Sequence, residues 1–170
     1  GSPLQLVLNT VYHLETSPGN IPWDVYQETK ARHDVKYAIP YAVGDNLRGY
    51  RIVGTTSDIF EVFEYQRGKG FEHAEVYVVT GVLKTTNTPA DQVVWIPIEG
   101  IYRMEGHKVA EGKETVERGA KEIPDEWKEV SAVMIKYHSI AAGMFHRNEV
   151  DSGKLYTLAW PIADVMGGFF

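Results

Sequence analysis

The sequence contains no cysteine. Disulfide bonds, thiolate nucleophiles and cysteine-ligated zinc or iron–sulfur centres are therefore excluded. A metal bound by this chain would need histidine and carboxylate ligands. Long hydrophobic runs are also missing, since no apolar stretch approaches the roughly 20 residues that a membrane-spanning helix requires. We therefore expect no membrane segment.

The common sequence signatures of enzymes are absent as well. There is no phosphate-binding loop, no dinucleotide-binding glycine motif, no nucleophile elbow, no HExxH motif and no EF-hand loop. Positive charge is scarce, because 17 Lys and Arg stand against 23 Asp and Glu and give a formal net charge of −6. An acidic chain repels a phosphate backbone, so no nucleic-acid partner is expected. The lack of cysteine is typical of a reducing compartment and favours a soluble, cytoplasmic protein.

The size of the chain fits a single domain. A chain of 170 residues buries roughly two-thirds of the surface that it exposes when unfolded, which is enough for a core and an internal pocket. Gly1-Ser2 is typical of the residues that remain after an affinity tag is removed. From the length of the chain, we treat residues 1–170 as one β-rich domain.

The patterns of the first fifty residues indicate strand, helix and edge strand in turn. Leu4, Leu6 and Leu8 alternate with polar residues, which predicts a strand over Leu4–Glu15. The segment "IPWDVYQETKARHDV" has apolar residues at helical spacing after Pro22 and predicts a short helix. In "KYAIPYAVG", Pro40 favours an edge strand or an extended loop.

The middle of the chain predicts an antiparallel β-meander. The runs "YRIVGTT", "DIFEVFEYQ", "HAEVYVVTGVLKT" and "QVVWIPI" are rich in β-branched and aromatic residues and are separated by turn sequences. The run "IYRMEGHKVAEG" continues as strand and turn, and "KETVERGAKEIPDEWKEV" favours a short amphipathic helix or a solvated loop. After about Ser131 we predict strands, with "DSG" as the turn of a hairpin.

These elements total about eight or nine strands and two short helices. Many short strands with Gly and Pro turns are typical of a barrel or a sandwich. The predicted fold is therefore mainly β: a single-domain antiparallel β-barrel or sandwich with two short peripheral helices.

One stretch, "RGKGFEHAEVYVVTG", carries a histidine and a glutamate two residues apart. His73 and Glu75 would share one face of a regular strand and could act together on a ligand or a metal. The alternative is the water-facing side of an antiparallel strand. With the later "ADQVVWIPIEGIYR", this stretch resembles the two sequence segments of the cupin family of small β-barrels, a resemblance that covers about a third of the chain.

The resemblance implies a barrel with His73 and Glu75 at its interior site and Gly81 and Pro97–Gly100 in its turns. Arg103 stands where that family has a metal-binding histidine, and a guanidinium does not ligate a cation. The sequence therefore leaves the cofactor open: a divalent metal is one option, and charge stabilisation by Arg103 is another.

Further candidate residues come from the C-terminal third and from the aromatics. His138 and His146 could form an acid–base pair, because histidine titrates near neutral pH, unless they share no cavity. Five aromatic residues in predicted strands are candidates for the wall of a ligand pocket, although aromatics also pack well in cores. They are Tyr65, Tyr77, Trp95, Tyr102 and Tyr137.

Two functional hypotheses follow. In the first, the barrel holds a small and largely apolar ligand, and any catalysis is of isomerase, cyclase or lyase type, with proton transfer by His73, Glu75 or His138. In the second, the domain is a non-catalytic structural or protein-interaction module, which belongs to a larger chain or forms a homo-oligomer or a complex with another protein.

Overall fold

The computed structural model of the chain describes residues 2–14, 19–62, 79–103 and 122–160. The α-helices in these residues are α1 (Pro3–Thr10), α2 (Trp23–Ala31), α3 (Asp58–Val62), α4 (Ile98–Tyr102) and α5 (Ile140–Gly153). The strands are β1 (Ile21–Pro22), β2 (Val35–Leu47), β3 (Tyr50–Thr55), β4 (Val93–Pro97), β5 (Glu129–Val130) and β6 (Ala132–Tyr137). Helices hold more of the described residues than strands do, so the fold is mixed and not mainly β.

The main sheet has four strands in the order β4-β3-β2-β6. β2 pairs antiparallel with both β3 and β6, which confirms the antiparallel part of the prediction. β4 runs parallel to β3, so the predicted continuous meander is wrong at this step, and a crossover joins the two strands. In the described residues the sheet is open, because β4 and β6 are its edges and do not pair with each other. No closed barrel is present in that part of the chain.

β2 is the long strand that holds the sheet together. Its first half, from Val35 to Tyr41, pairs with β6, and its second half, from Ala42 to Leu47, pairs with β3. Pro40 lies in the first half, opposite Val133, where β3 does not reach. A proline without an N–H is tolerated there, because that stretch of β2 is locally an edge.

Helices cover both faces of the sheet. On the first face, Tyr26 of α2 and Ile101 of α4 join one buried cluster with alternate strand residues such as Ile96. On the second face, Ile59 of α3 belongs to another cluster, against which Trp95 packs. Side chains alternate between the two faces along each strand, so neighbouring residues of β4 contribute to different clusters.

The N-terminal segment is helical, so the predicted strand over Leu4–Glu15 is wrong. The Ser2 side chain accepts a hydrogen bond from the Gln5 N–H at 3.2 Å, and Pro3 follows at the first helical position. This cap and the preset φ of proline favour the helix over the alternation of leucines. The helix buries Val7, and Leu4 is exposed.

Two further predicted strands are helices in the structure. The beginning of "DIFEVFEYQ" forms α3, where Ile59 N–H and Phe60 N–H bond back to the carbonyls of Thr56 and Ser57. The beginning of "IYRMEGHKVAEG" lies in α4, which starts directly after Pro97. Proline sets φ at the entry to this helix. Residues 63–78 and 104–121 lie outside the described residues, and with them much of the predicted meander and the charged segment before Pro124.

The predicted C-terminal hairpin is also wrong. The strand predicted after about Ser131 is present as β6, but it ends at Tyr137, and Ile140–Gly153 is the helix α5, which includes the "DSG" sequence. Ser139 caps this helix by accepting a hydrogen bond from the Ala142 N–H at 3.1 Å. In the described part of the chain, no helix combines the length and the hydrophobicity needed to cross a membrane.

Two glycines let α4 approach the sheet on the first face, and they give a matched stability test. A Cβ at Gly54 would lie 2.4 Å from Ile101 Cγ1 and 3.1 Å from the Ile98 Cα. A Cβ at Gly44 would be close to the flexible end of Ile101, at 2.8 Å, and would otherwise meet Ile52 at an ordinary contact distance of 3.5 Å. We expect Gly54→Ala to cost about 1–3 kcal/mol, because the helix backbone must move, and Gly44→Ala to change stability by less than about 1 kcal/mol. Urea unfolding of both variants checks this, and equal losses would contradict the close packing of α4 on Gly54.

Candidate functional site

The residues that the sequence singles out do not converge on one pocket. Four of them, His73, Glu75, Tyr65 and Tyr77, lie outside the described residues. The sheet separates the described aromatics, since Trp95 packs on the second face whereas Tyr102 and Tyr137 belong to the first-face cluster.

The two other predicted catalytic residues lie at the ends of elements. Arg103 is the C-terminal cap of α4, and its side chain is half-buried. His138 is exposed just after β6, and its backbone N–H donates to the Asp34 carbonyl at 3.0 Å. Charge stabilisation by Arg103 and proton transfer by His138 stay predictions.

The buried histidine of the predicted pair is His146, on α5. Its Nδ1 lies 2.7 Å from the Tyr137 hydroxyl. Burial raises the pKa of Tyr137 to about 12, and burial followed by the charge of Arg32 lowers the pKa of His146. Both groups are therefore neutral at pH 7, and they share one hydrogen bond whose donor is set by the tautomer of the imidazole.

An ion-pair network lies beside this tyrosine–histidine pair. Arg32 makes two hydrogen bonds of 3.0 Å to the Asp34 carboxylate and a third of 3.0 Å to Glu149. The network connects the end of α2 to α5, and every member has a partner. We interpret it, with the tyrosine–histidine pair, as the anchor of α5 on the sheet.

A second group of polar and aromatic residues lies on the second face of the sheet, and the sequence does not predict that they come together. It consists of His13, Arg51 and Trp95, which we call the His13 site. The imidazole of His13 contacts the Trp95 indole edge to face, with ring centroids 6.0 Å apart. Arg51 lies on β3, two residue pairs away from Trp95 in the β3–β4 register and therefore on the same face of the sheet.

The turn after α1 directs the histidine to this place. His13 has a left-handed backbone, with φ of 56°, and the next N–H, from Leu14, bonds back to the Leu8 carbonyl at 3.0 Å. Histidine adopts this conformation more readily than most residues do. The bend holds the ring against Trp95 at the end of the helix.

Two polar atoms of the site, one on His13 and one on Arg51, are buried without a hydrogen-bond partner among the described residues. His13 Nδ1 and Arg51 Nε are enclosed, and neither makes a hydrogen bond to any described residue. No carboxylate in the described part of the chain forms an ion pair with Arg51. Buried polar groups in folded proteins are nearly always hydrogen-bonded, so these two atoms point to a further partner.

The electrostatics of the site keep His13 neutral. Burial, and then the positive charge of Arg51, lower the pKa of His13 from its ordinary value of 6.5 to about 4. At pH 7 the site therefore carries the single positive charge of the guanidinium beside an uncharged imidazole. It can accept an anion through Arg51 and can donate or accept a hydrogen bond through His13.

A cavity on the first face of the sheet is too small to be a typical ligand pocket. It has a volume of about 70 Å³ and is lined in part by Asn20, Tyr102, Glu129 and Ser131. Ligand pockets usually measure about 300–1,000 Å³, so this space suits a few water molecules. The Tyr102 hydroxyl is already occupied, because it donates to the Glu129 carbonyl at 2.7 Å.

The described residues also bear on metals and protein partners. They contain no group of three His, Asp or Glu side chains that could hold a metal ion.

The N-terminal half of α5 exposes large apolar side chains, with Ile140 76% and Phe145 73% exposed. Such a surface is typical of a contact site, although nothing in the described part of the chain shows what covers it. The protein-interaction alternative stays a prediction.

No family model matches the sequence, and no curated protein or solved structure is significantly similar to the chain. The resemblance to cupins therefore stays a prediction. Its first segment lies largely outside the described residues. In its second segment, the predicted Pro97–Gly100 turn is the step from β4 into α4.

The tyrosine–histidine pair gives a direct test of the anchor of α5. We expect Tyr137→Phe to lower the free energy of unfolding by about 1–2 kcal/mol, because it leaves the buried Nδ1 of His146 without its hydrogen-bond partner. Tyr50→Phe is the matched control, since that ring is 46% exposed and no such bond is lost. Chemical unfolding measures both, and a loss no larger than in the control would refute the role of the pair.

Proposed function

We propose that this domain binds a small molecule through a carboxylate or phosphate group, at the His13 site. The observation that carries the proposal is the guanidinium of Arg51, half-buried and without a carboxylate partner among the described residues. The proposal keeps the predicted small-molecule ligand and the role of Trp95, but it makes one end of the ligand anionic. Catalysis by His73 or Glu75 stays a prediction.

Arg51 combines partial burial with the lack of a carboxylate partner among the described residues, whereas some other cations of the chain have such a partner. Several of them lie within ion-pair distance of a carboxylate: Lys30 with Asp58, Arg32 with Asp34 and Glu149, Lys128 with Asp125, and Arg147 with Asp151. The chain has 23 acidic residues, so carboxylates are plentiful. A charge taken from water without a counter-ion is costly. A half-buried guanidinium with no carboxylate partner among the described residues is therefore suited to an external anion.

The chemistry of the three side chains fits an oxyanion on an organic body. A guanidinium offers parallel N–H donors that match the two oxygens of a carboxylate or phosphate. The enclosed Nδ1 of His13 supplies a second polar contact. Trp95 presents an apolar ring beside these groups and suits a planar or aliphatic ligand body.

The test compares a carboxylate with its neutral analogue. We expect benzoate to stabilise the protein in a thermal-shift assay and benzamide not to do so, because ligand that binds the native state raises the melting temperature. Inorganic phosphate, in a parallel arm, distinguishes a phosphate site from a carboxylate site. Arg51→Gln should weaken binding of the effective anion by at least about tenfold, as the loss of one charged hydrogen-bonding partner implies.

The matched control is Arg48→Asn in the turn between β2 and β3. Arg48 is exposed and has a left-handed backbone that asparagine tolerates, so this variant removes one positive charge without touching the site. Calorimetric titration should give wild-type affinity for it. Equal anion binding by Arg51→Gln and wild type, or no response to either anion, would overturn the proposal.

A further inference from the structure

We propose that His13 takes up a proton when an oxyanion binds beside Arg51, so that the site binds its ligand more tightly in mildly acidic solution. This inference rests on the proposed anion-binding function and concerns its regulation. It starts from the geometry: the imidazole is fixed against Trp95 and lies near the guanidinium of Arg51. Among the described residues, the enclosed Nδ1 has no hydrogen-bond partner and the guanidinium has no carboxylate partner.

The groups around His13 determine whether its imidazole is protonated. Arg51, on β3, is the charged group that acts on the imidazole, and the neighbouring residue of β4, Trp95, is uncharged. No described carboxylate acts on His13. In the free protein, burial and the like charge of Arg51 both oppose an imidazolium, and the pKa of His13 is about 4.

A bound oxyanion reverses the second of these effects. Its negative charge offsets that of Arg51, and its oxygens can accept a hydrogen bond from a protonated Nδ1. The imidazolium then has a counter-ion and a partner for its enclosed N–H. An opposite charge at this range shifts a pKa by about one to three units, so the pKa of His13 rises in the complex.

The sign of the pH dependence follows from linkage. Above about pH 4 the free protein carries a neutral His13. Below the raised pKa of the complex, the bound protein carries an imidazolium, so binding draws one proton from the solvent. Because proton uptake and anion binding promote each other equally, affinity falls as the pH rises through this window, by at most tenfold per pH unit. Above the raised pKa the affinity levels off.

The experiment is calorimetric titration of the intact chain with benzoate at several pH values. Carboxylates of this kind are largely ionised above about pH 5, so proton uptake reports on the protein. We expect roughly tenfold tighter binding at about pH 5 than at about pH 7.5, which corresponds to a rise of about two units in the pKa of His13. Near pH 5, repeat titrations in two cationic buffers of different ionisation enthalpy should show uptake of close to one proton.

His13→Asn is the informative variant. Asparagine tolerates the left-handed backbone at this position but cannot take up the proton. We expect this variant to bind benzoate with the weak affinity that wild type shows near pH 7.5, and with no pH dependence and no proton uptake. Arg48→Asn should keep the wild-type pH profile.

The outcomes separate the two proposals. Benzoate binding that depends on Arg51 but is flat with pH and takes up no proton would overturn the proton linkage and leave the anion site standing. A pH dependence that His13→Asn retains would also overturn it, since another group would then carry the proton. Failure of benzoate to bind wild type at any pH would overturn the linkage, and the phosphate arm would then decide the proposed function.

Discussion

The double pairing of β2 is the constraint on which the rest of this structure depends. One strand holds β6 with its first half and β3 with its second, and helices pack on both faces of the sheet that results. Because both faces are covered, a polar side chain on any central strand meets protein on one side or the other. Arg51 is such a residue: its register on β3 places it on the second face with Trp95, and its Nε is buried there.

The polar residues that anchor α5 and those of the His13 site differ in whether the free-energy cost of their burial is offset within the chain. Around α5, Arg32 has two carboxylate partners and His146 shares a hydrogen bond with the Tyr137 hydroxyl, so the cost of burial is offset within the chain. At the His13 site the described residues supply no such compensation, and the imidazole stays uncharged beside a cation. Strained or uncompensated arrangements of this kind tend to occur at functional sites. The first arrangement therefore suits stability, and the second suits binding.

Local signals predicted part of the fold. The helix after Pro22 and the strands β3, β4 and β6 follow from spacing and from β-branched content, and the structure confirms them. The alternating leucines of α1 and the β-branched run of α3 misled the prediction, because capping by Ser2 and the turn at Thr56–Asp58 decided these segments. A barrel was predicted from strand counts, and several of those strands are helices.

The candidate site was less accessible from sequence. Trp95 was identified as an aromatic in a strand, but His13 and Arg51 are 38 positions apart and meet only through the packing of the N-terminal turn on the sheet. A charged residue in the apolar register of "YRIVGT" was the one available signal. The central claim is that Arg51 and burial together hold His13 neutral. An NMR titration of the His13 imidazole tests it most directly: the account predicts a pKa of about 4 in wild type, and in Arg51→Gln a higher value that remains below 6.5 because burial persists. A wild-type pKa near 6.5, or one that Arg51→Gln leaves unchanged, would contradict it.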